Sequence, residues 1–267
     1  MSAPDPRTLR EAAVAIAREA GAILIEGYGR THTAERKGTI DLVTEYDRRS
    51  EALILARVRE HYPGHGVLAE ESGAAPATAS DVRWVIDPLD GTTNFAHNYP
   101  FFCVSIGVEV AGRVVSGAIY DPVRDEMFAA SLGGGATLNG APIRVSSIDR
   151  VVDGLIVTGF PYDVREFPDR HLGPFRAFLT RAQAIRRDGS AALNFCYLAM
   201  GRFDGFWELR LSPWDVAAGA LIVSEAGGRV TRWDGSAFTV EGREVLASNG
   251  SLHDEMMAVL AASRVPD

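Results

Sequence analysis

Apolar residues recur at intervals of three and four between positions 7 and 28, at Leu9, Ala13, Ile16, Ala20, Ile23 and Gly27, with Arg and Glu between them. That period predicts an amphipathic helix whose task is packing. Residues 35–44 (ERKGTIDLVT) read as a loop passing into a short strand, with Lys37 and Gly38 at its tip. Thr44-Glu45-Tyr46-Asp47 fits a capping box, and Leu53, Ile54 and Val58 mark the inward face of a second helix reaching about His61.

Further along, the period of three to four gives way to short apolar runs, which predict strands. Val67-Leu68-Ala69 and Trp84-Val85-Ile86 are two of them, separated by a small-residue surface loop at 74–80 (AAPATAS). Residues 102–110 and 113–120 form a hairpin turning at Ala111-Gly112, and 126–130, 136–138 and 143–145 continue as short strands. The Gly133-Gly134-Gly135 run lacks G-x-G-x-x-G spacing and a following helix, so it reads as a hairpin loop rather than a nucleotide-binding loop. Two helices followed by an antiparallel meander argue for a layered α+β fold.

Past a soft boundary at 146–152, strands alternate with helices: strands at 155–160, 184–187 and 205–209, helices at 170–180 and 190–200. Ser212-Pro213 opens another helix that Gly227-Gly228 closes. Short strands near Val230 and Val245 and a helix after Leu252 finish the chain. This alternation suggests more parallel pairing, and the expected organisation is an N-terminal α+β half, 1–148, and a C-terminal α/β half, 149–267, acting as one compact unit.

Composition narrows the field. With 267 residues, 46% hydrophobic and 23% charged, the chain can bury a large core and is expected to fold throughout. A net charge of -8 argues against direct nucleic-acid binding through a broad basic surface, so any phosphate must be held by metal ions or backbone amides. Cys103 and Cys196 each sit in an apolar stretch outside any CxxC pattern and read as reduced core residues, which suits the cytoplasm. The sequence shows neither a leader pattern nor an apolar run approaching about 18 residues, so no membrane association is expected.

Candidate chemistry centres on 84–95, WVIDPLDGTTNF. The strand should stop at Pro88, delivering Asp87 and Asp90 to its edge, and Gly91 permits a tight turn before Thr92 and Thr93. If a helix starts there, the amides of Gly91 and Thr92 form an anion site beside carboxylates able to hold a hard divalent cation. Taken singly, Asp87-Pro88 and Asp90-Gly91 are also ordinary turn dipeptides, Asp47 an ordinary helix cap and Asp215 an ordinary first-turn acid. Collected, Asp47, Glu70, Glu71, Asp87, Asp90 and Asp215 all sit at strand ends or helix starts, where unneutralised carboxylates repel one another. Oxygen ligands of this kind suit Mg²⁺; none of the 6 histidines pairs at zinc spacing, and no nucleophile elbow is present, which leaves metal-activated water as the hydrolytic route.

The blocks DLVTEYD (41–47), LAEES (68–72), IDPLDGTTNF (86–95) and WDVAAGALIVSEAGG (214–228) resemble, in order and spacing, the signatures of the inositol monophosphatase family of Mg²⁺-dependent, lithium-sensitive phosphatases. The resemblance spans nearly the whole chain. It implies a layered αβαβα sandwich of the sugar-phosphatase type that hydrolyses a small polyol phosphate, inositol 1-phosphate first among them, with two or three Mg²⁺ ions. By the same resemblance Glu70 and Asp87, with the carbonyl of Leu89, hold the first metal, and Asp87, Asp90 and Asp215 the second. Glu70 and waters hold a weaker third. Gly91 and Thr92 offer amides to the phosphate, while Thr92 with Asp47, and Glu70 close by, orients the attacking water. Asp90, Ala191 in the GSA segment 189–191 and Glu208 meet the polyol hydroxyls, and Lys37 matches a basic residue of a mobile loop. A homodimer is also implied.

The segment 159–166 (GFPYDVRE) lies where family members vary and can approach substrate through Tyr162 and Asp163. Other esters within the same chemistry are fructose 1,6-bisphosphate, histidinol phosphate and 3'-phosphoadenosine 5'-phosphate. No basic pocket for a second phosphate is obvious, although Arg186 and Arg187 precede the GSA segment. A reading of another class is a regulatory binding protein acting on transcription complexes.

Overall fold

A computed structural model describes residues 4–30, 35–36, 42–78 and 80–263. The first helix, α1 (Pro6–Gly27), starts at Asp5, whose side chain accepts from Arg7 N, and buries Leu9, Ala13, Ile16, Ala20 and Leu24. A small antiparallel hairpin of β1 (Glu35–Arg36) and β2 (Leu42–Val43) leads into α2 (Glu45–His61). Lys37 lies outside the described residues.

The chain then lays down β3 (Gly66–Ala69), β4 (Gly73–Ala75) and β5 (Val82–Asp90), followed by the short helix α3 (Thr92–Ala96). A meander of β6 (Cys103–Val110), β7 (Arg113–Asp121), β8 (Glu126–Ser131), β9 (Gly135–Leu138) and β10 (Ala141–Pro142) completes an 8-stranded sheet in the order β10-β9-β8-β7-β6-β5-β3-β4. Its pairs are antiparallel except β3 with β5. The β6–β7 turn uses Ala111 and Gly112 at φ +50° and +77°, the left-handed pair that a two-residue hairpin requires. The glycine run at 133–135 is the expected hairpin loop, its Gly133 and Gly135 amides donating to Glu225 at 2.8 Å each.

The second half comprises β11 (Leu155–Thr158), α4 (Pro168–Leu179), β12 (Ala184–Arg186), α5 (Ala191–Ala199), β13 (Gly205–Leu209), α6 (Pro213–Glu225), β14 (Arg229–Thr231), β15 (Glu244–Ser248) and α7 (His253–Ser263). Its sheet runs β12-β11-β13-β15-β14, with β11 parallel to both neighbours and the remaining pairs antiparallel.

Three apolar clusters show how the layers stack. Leu9, Leu24, Ile54, Trp84 and Ile106 join α1 and α2 to one face of the large sheet. Val85, Ile119, Phe195, Ile222 and Phe206 join its other face, through α5 and α6, to the small sheet. Ile156, Trp207, Phe178 and Leu260 join the far face of the small sheet to α4 and α7. The result is the expected αβαβα sandwich. Each such side chain, fully removed from water, contributes about 1.5–3 kcal/mol. Helix α6 is apolar on nearly every side because it lies between two sheets. It comes close because β6 and β7 present glycines: a Cβ on Gly107 would lie 2.9 Å from Ala217 Cβ, and one on Gly117 3.0 Å from Ala218 Cα. That close approach brings the start of α6 beside the end of β5.

Three local expectations are corrected. Strand β5 continues past Pro88 to Asp90, because the register against β6 shifts between Asp87 and Asp90 and the proline falls in the irregularity, where its missing N–H removes no ladder bond. Residues 143–145 are not a strand; Ile143 N and Val145 N make single bonds, to Ala136 O at 3.0 Å and Ala226 O at 3.2 Å, as the chain leaves the sheet. Part of the loop read at 74–80 is instead the edge strand β4, whose small alanines carry no strand signal. Among the described residues no helix is long and apolar enough to cross a membrane.

Candidate active site

The ends of β3, β5 and β13 and the starts of α3, α5 and α6 meet at a cleft of about 740 Å³. Glu70, Asp87, Asp90 and Asp215 line it together. So do Leu89, Gly91 and Thr92 from the turn after β5, and Ala191 and Glu208 from the second half. Asp47 is fully buried behind Thr92 and reaches the cleft only through that hydroxyl. Glu71 does not line it; its amide is held at 2.9 Å by Glu51 Oε2.

Local chemistry explains the placement. At φ +98°, Gly91 occupies the left-handed region, and a Cβ there would lie 2.9 Å from Phe101 O, so glycine alone fits both the conformation and the space. The Leu89 amide donates to Asp87 Oδ1 at 3.0 Å, bracing the turn. Asn94 Nδ2 donates to Phe101 O at 2.7 Å and Asp188 O at 2.8 Å, tying this turn to the loop before α5.

Two carboxylates serve as caps while facing the cleft region. Asp47 Oδ2 accepts from Thr44 N at 2.8 Å and Thr44 Oγ1 at 2.6 Å, completing the capping box of α2, while Oδ1 accepts from Thr92 Oγ1 at 2.9 Å. Asp215 Oδ2 accepts from Ser212 N at 2.6 Å in the capping box of α6. Asp90 Oδ2 accepts from Ser190 Oγ at 2.6 Å and Ala192 N at 2.7 Å at the start of α5.

Burial raises the pKa of Asp47, opposed by the hydrogen bonds from Thr44 and Thr92. Burial, then the charges of Glu70, Asp90 and Asp215, hold Asp87 well above the ordinary carboxylate range. Burial and the neighbouring acids do the same for Asp215, and burial with Asp215 and Asp90 for Glu208, which Arg187 partly relieves. Asp90 is raised by burial and eased by its Ser190 and α5 amide donors.

Asp87 and Asp215 both line the cleft, and the Asp215 charge helps to raise Asp87. Carboxylates so placed need a shared proton or a cation to neutralise them. As oriented here the acids are spread wider than a closed coordination shell: among the described residues no three His, Cys, Asp or Glu groups converge as a ready ligand set. The donor set itself, carboxylates with the Leu89 carbonyl and no nitrogen or sulfur, fits a hard divalent cation that completes its shell with water and substrate oxygens.

Several lining residues carried no signal in the sequence. Arg210 and Arg243 line the cleft with Arg187, so the region does hold basic groups, contrary to the expectation of no basic pocket. Their proximity follows from pairing between β13 and β15, which short-range patterns do not reveal. Gly159 also lines it, where a Cβ would overlap the Glu208 carboxylate. Tyr162 and Asp163 of the variable segment line it as well.

Comparisons with known proteins agree with this architecture. The family model described as "Inositol monophosphatase family" matches residues 5–265. The chain is 43% identical over 263 residues to an inositol-1-monophosphatase of Synechocystis, covering 98% of this chain and 92% of that protein. It is 42% identical to the Nus factor SuhB of Escherichia coli K12, covering 92% of this chain and 93% of that protein. The solved structure of an inositol monophosphatase from Anabaena superposes with a TM-score of 0.88 at 43% identity, covering 96% of each chain. With a match that runs almost from end to end, the chain belongs to the inositol monophosphatase family.

Proposed function

We propose that this chain hydrolyses the phosphate monoester of a small polyol, inositol 1-phosphate first among them, at the cleft described above. The observation that carries the reading is that Asp87, Asp90, Asp215 and Glu70 line one cleft beside the Gly91–Thr92 turn, within a chain of this family. Two or three Mg²⁺ ions, when bound by Glu70, Asp87, the Leu89 carbonyl, Asp90 and Asp215, would neutralise phosphoryl charge and activate water.

The chain's own groups do the rest. Gly91 and Thr92 present amides to phosphate oxygens. Thr92, donating its hydroxyl hydrogen to Asp47, leaves its lone pairs for an incoming water and so aligns it for in-line attack. Burial suits Asp47 to receive a proton through Thr92, with Glu70 close to the same water. Asp90, the Ala191 backbone and Glu208 hold the polyol hydroxyls of the leaving group. Because these residues come from both sheets, the halves 1–148 and 149–267 act as one catalytic unit. A cytoplasmic homodimer inhibited by lithium completes the proposal, to be checked by sedimentation and by LiCl titration.

The test is phosphate release from inositol 1-phosphate with and without Mg²⁺, using Asp90→Asn as control. Mg²⁺-dependent release that falls about a hundredfold or more in the variant is expected, since Asp90 serves both cation and substrate. Equal turnover by the variant at limiting Mg²⁺ sinks the assignment of Asp90. The 42% identity to a Nus factor favours a second reading, a regulatory role on transcription complexes, tested by co-purification with RNA polymerase components.

A further inference from the structure

One wall of the cleft is the segment 159–164, and it starts against Glu208, whose carboxylate a Cβ on Gly159 would overlap. The packing of this wall is thin. From Gly159 to Arg170 every residue is at least partly exposed, Tyr162 at 57% and Phe167 at 45% among them, and the 3₁₀ turn Tyr162–Arg165 buries no residue. Phe160 makes a ring contact with Phe175 of α4, their centroids 5.5 Å apart. A stretch with so little buried apolar surface needs another anchor to keep one position.

The anchor is a carboxylate. Both side-chain oxygens of Asp163 are shut off from water, with Arg210 Nη1 at 2.6 Å from Oδ2 and His171 Nε2 at 3.3 Å from Oδ1. These partners belong to different elements. Arg210 directly follows β13, its amide donating to the carbonyl of Arg243, and His171 is buried on α4. The Arg210 guanidinium also lies 5.8 Å from the Phe167 ring centroid, so it grips the segment at two points. A charge withdrawn from water is retained only where partners compensate it, and removing one of them leaves the rest with an uncompensated desolvation cost. Asp163 therefore ties the middle of the wall to the end of β13 and to α4.

This clasp adjoins the expected polyol contact. Glu208 and His171, with Gly159 and Phe160, line one small cavity of about 10 Å³, the size of a single water. Any shift of the segment changes the space around Glu208. We propose that Asp163 is a positioning residue: clasped between Arg210 and His171, it holds the wall 159–164 against Glu208 and so sets how tightly the cleft accepts the hydroxyls of the leaving group. The inference rests on the reading of the cleft as the hydrolytic site of a polyol phosphate.

The experiment compares inositol 1-phosphate with p-nitrophenyl phosphate, whose leaving group carries no further hydroxyl for the wall to fit. It uses the wild type, Asp163→Asn, Arg210→Gln and the double variant. In Asp163→Asn the ratio of kcat/KM for the inositol ester to that for the phenyl ester should fall about tenfold, chiefly through KM for the inositol ester. Trypsin should cut after the exposed Arg165 about fivefold faster. Arg210→Gln should do the same, and the double variant should lose little more than either single one, because the two side chains act as a unit. A ratio within about twofold of the wild type, including one left unchanged by equal losses on both esters, overturns the proposal, as do losses that multiply in the double variant. If Asp163→Asn fails to fold, Arg210→Gln and His171→Gln carry the comparison: a fallen ratio in both supports the clasp, and an unchanged one overturns it. If the wild type hydrolyses neither ester, the hydrolytic reading fails, and tryptic cleavage in EDTA decides the clasp. Inositol 1-phosphate that slows the cut about threefold in the wild type but not in Asp163→Asn supports it, and no such difference overturns it.

Discussion

Neutralising Asp87 should make the metal-free protein more stable and less responsive to Mg²⁺. Asp87 is 2% exposed, and its pKa is raised first by burial and then by Glu70, Asp90 and Asp215. Asparagine has nearly the same volume and keeps an acceptor for the Leu89 amide, which lies 3.0 Å from Asp87 Oδ1. What disappears is one negative charge among several. Like charges in van der Waals proximity repel by a few kcal/mol at an effective dielectric constant of about 20, and the new amide hydrogens recover little hydrogen bonding, so the net gain is on the order of 1–3 kcal/mol. For a chain of this size each kcal/mol moves Tm by about 2–4 °C, giving a rise of roughly 3–10 °C in EDTA.

The same charge is what a cation uses. Ligand at a hundredfold excess over Kd stabilises by about 2.7 kcal/mol, and the wild type should gain most of this on MgCl₂ titration while Asp87→Asn gains little. Linkage supplies an independent check. A carboxyl whose folded pKa is raised leaves the folded protein holding more protons than the unfolded chain, so its stabilising effect is complete below the ordinary aspartate value of 3.8 and is lost as pH rises through the folded value. The metal-free wild type should therefore lose stability on moving up from pH 4 more steeply than the variant. Calorimetric melts of both proteins in EDTA and in graded MgCl₂ read all three effects. An Asp87→Asn protein that melts below the wild type in EDTA, or an equal Mg²⁺ increment in both, refutes the reasoning.

Thr92→Val keeps the packing and removes the hydroxyl that bonds Asp47 Oδ1 at 2.9 Å, so kcat should fall about a hundredfold with KM little changed in initial-rate measurements. Gly159→Ala places a methyl group against the Glu208 carboxylate and should raise KM for a polyol ester by about tenfold, with a far-UV spectrum like the wild type. His253 is fully buried between Thr231 and Ser248, and burial lowers its pKa to about 4. Because the unfolded chain takes up that proton first, stability should be lost as pH falls from 6.5 towards 4, by about 3 kcal/mol. Urea unfolding of the wild type against His253→Gln isolates that difference, which should vanish in the variant.

Period and punctuation made the helices, the meander and the layered class legible, because each depends on neighbours a few residues apart. Elements governed by distant pairing were not. The rule that proline ends a strand is local, and Pro88 escapes it only because β6 pairs with Asp87 and Asp90 on either side of an irregularity. Strand β4 exists because Val67 to Ala69 offers an edge, and the alanine-rich segment that takes it has no strand character of its own. The arginine group is invisible for the same reason, since Arg210 and Arg243 become neighbours only through the β13–β15 register.

The acids were legible by a different route, and their local and chemical readings proved to be compatible. Asp47 spends Oδ2 on the cap of α2 and Oδ1 on Thr92, so the helix terminus fixes the rotamer that the cleft uses. Asp215 is held through Oδ2 by the Ser212 amide while it lines the cleft. Asp90 is held in the same way by Ser190 and the α5 amide of Ala192. A helix start supplies unpaired N–H groups that need an acceptor, and a site for hard cations needs carboxylates that cannot swing away. One contact meets both needs. An isolated capping motif therefore cannot distinguish a structural acid from a functional one; the distinction arises when Asp90 and Asp215, held at different helix starts, line the same cleft and Asp47 reaches it through Thr92.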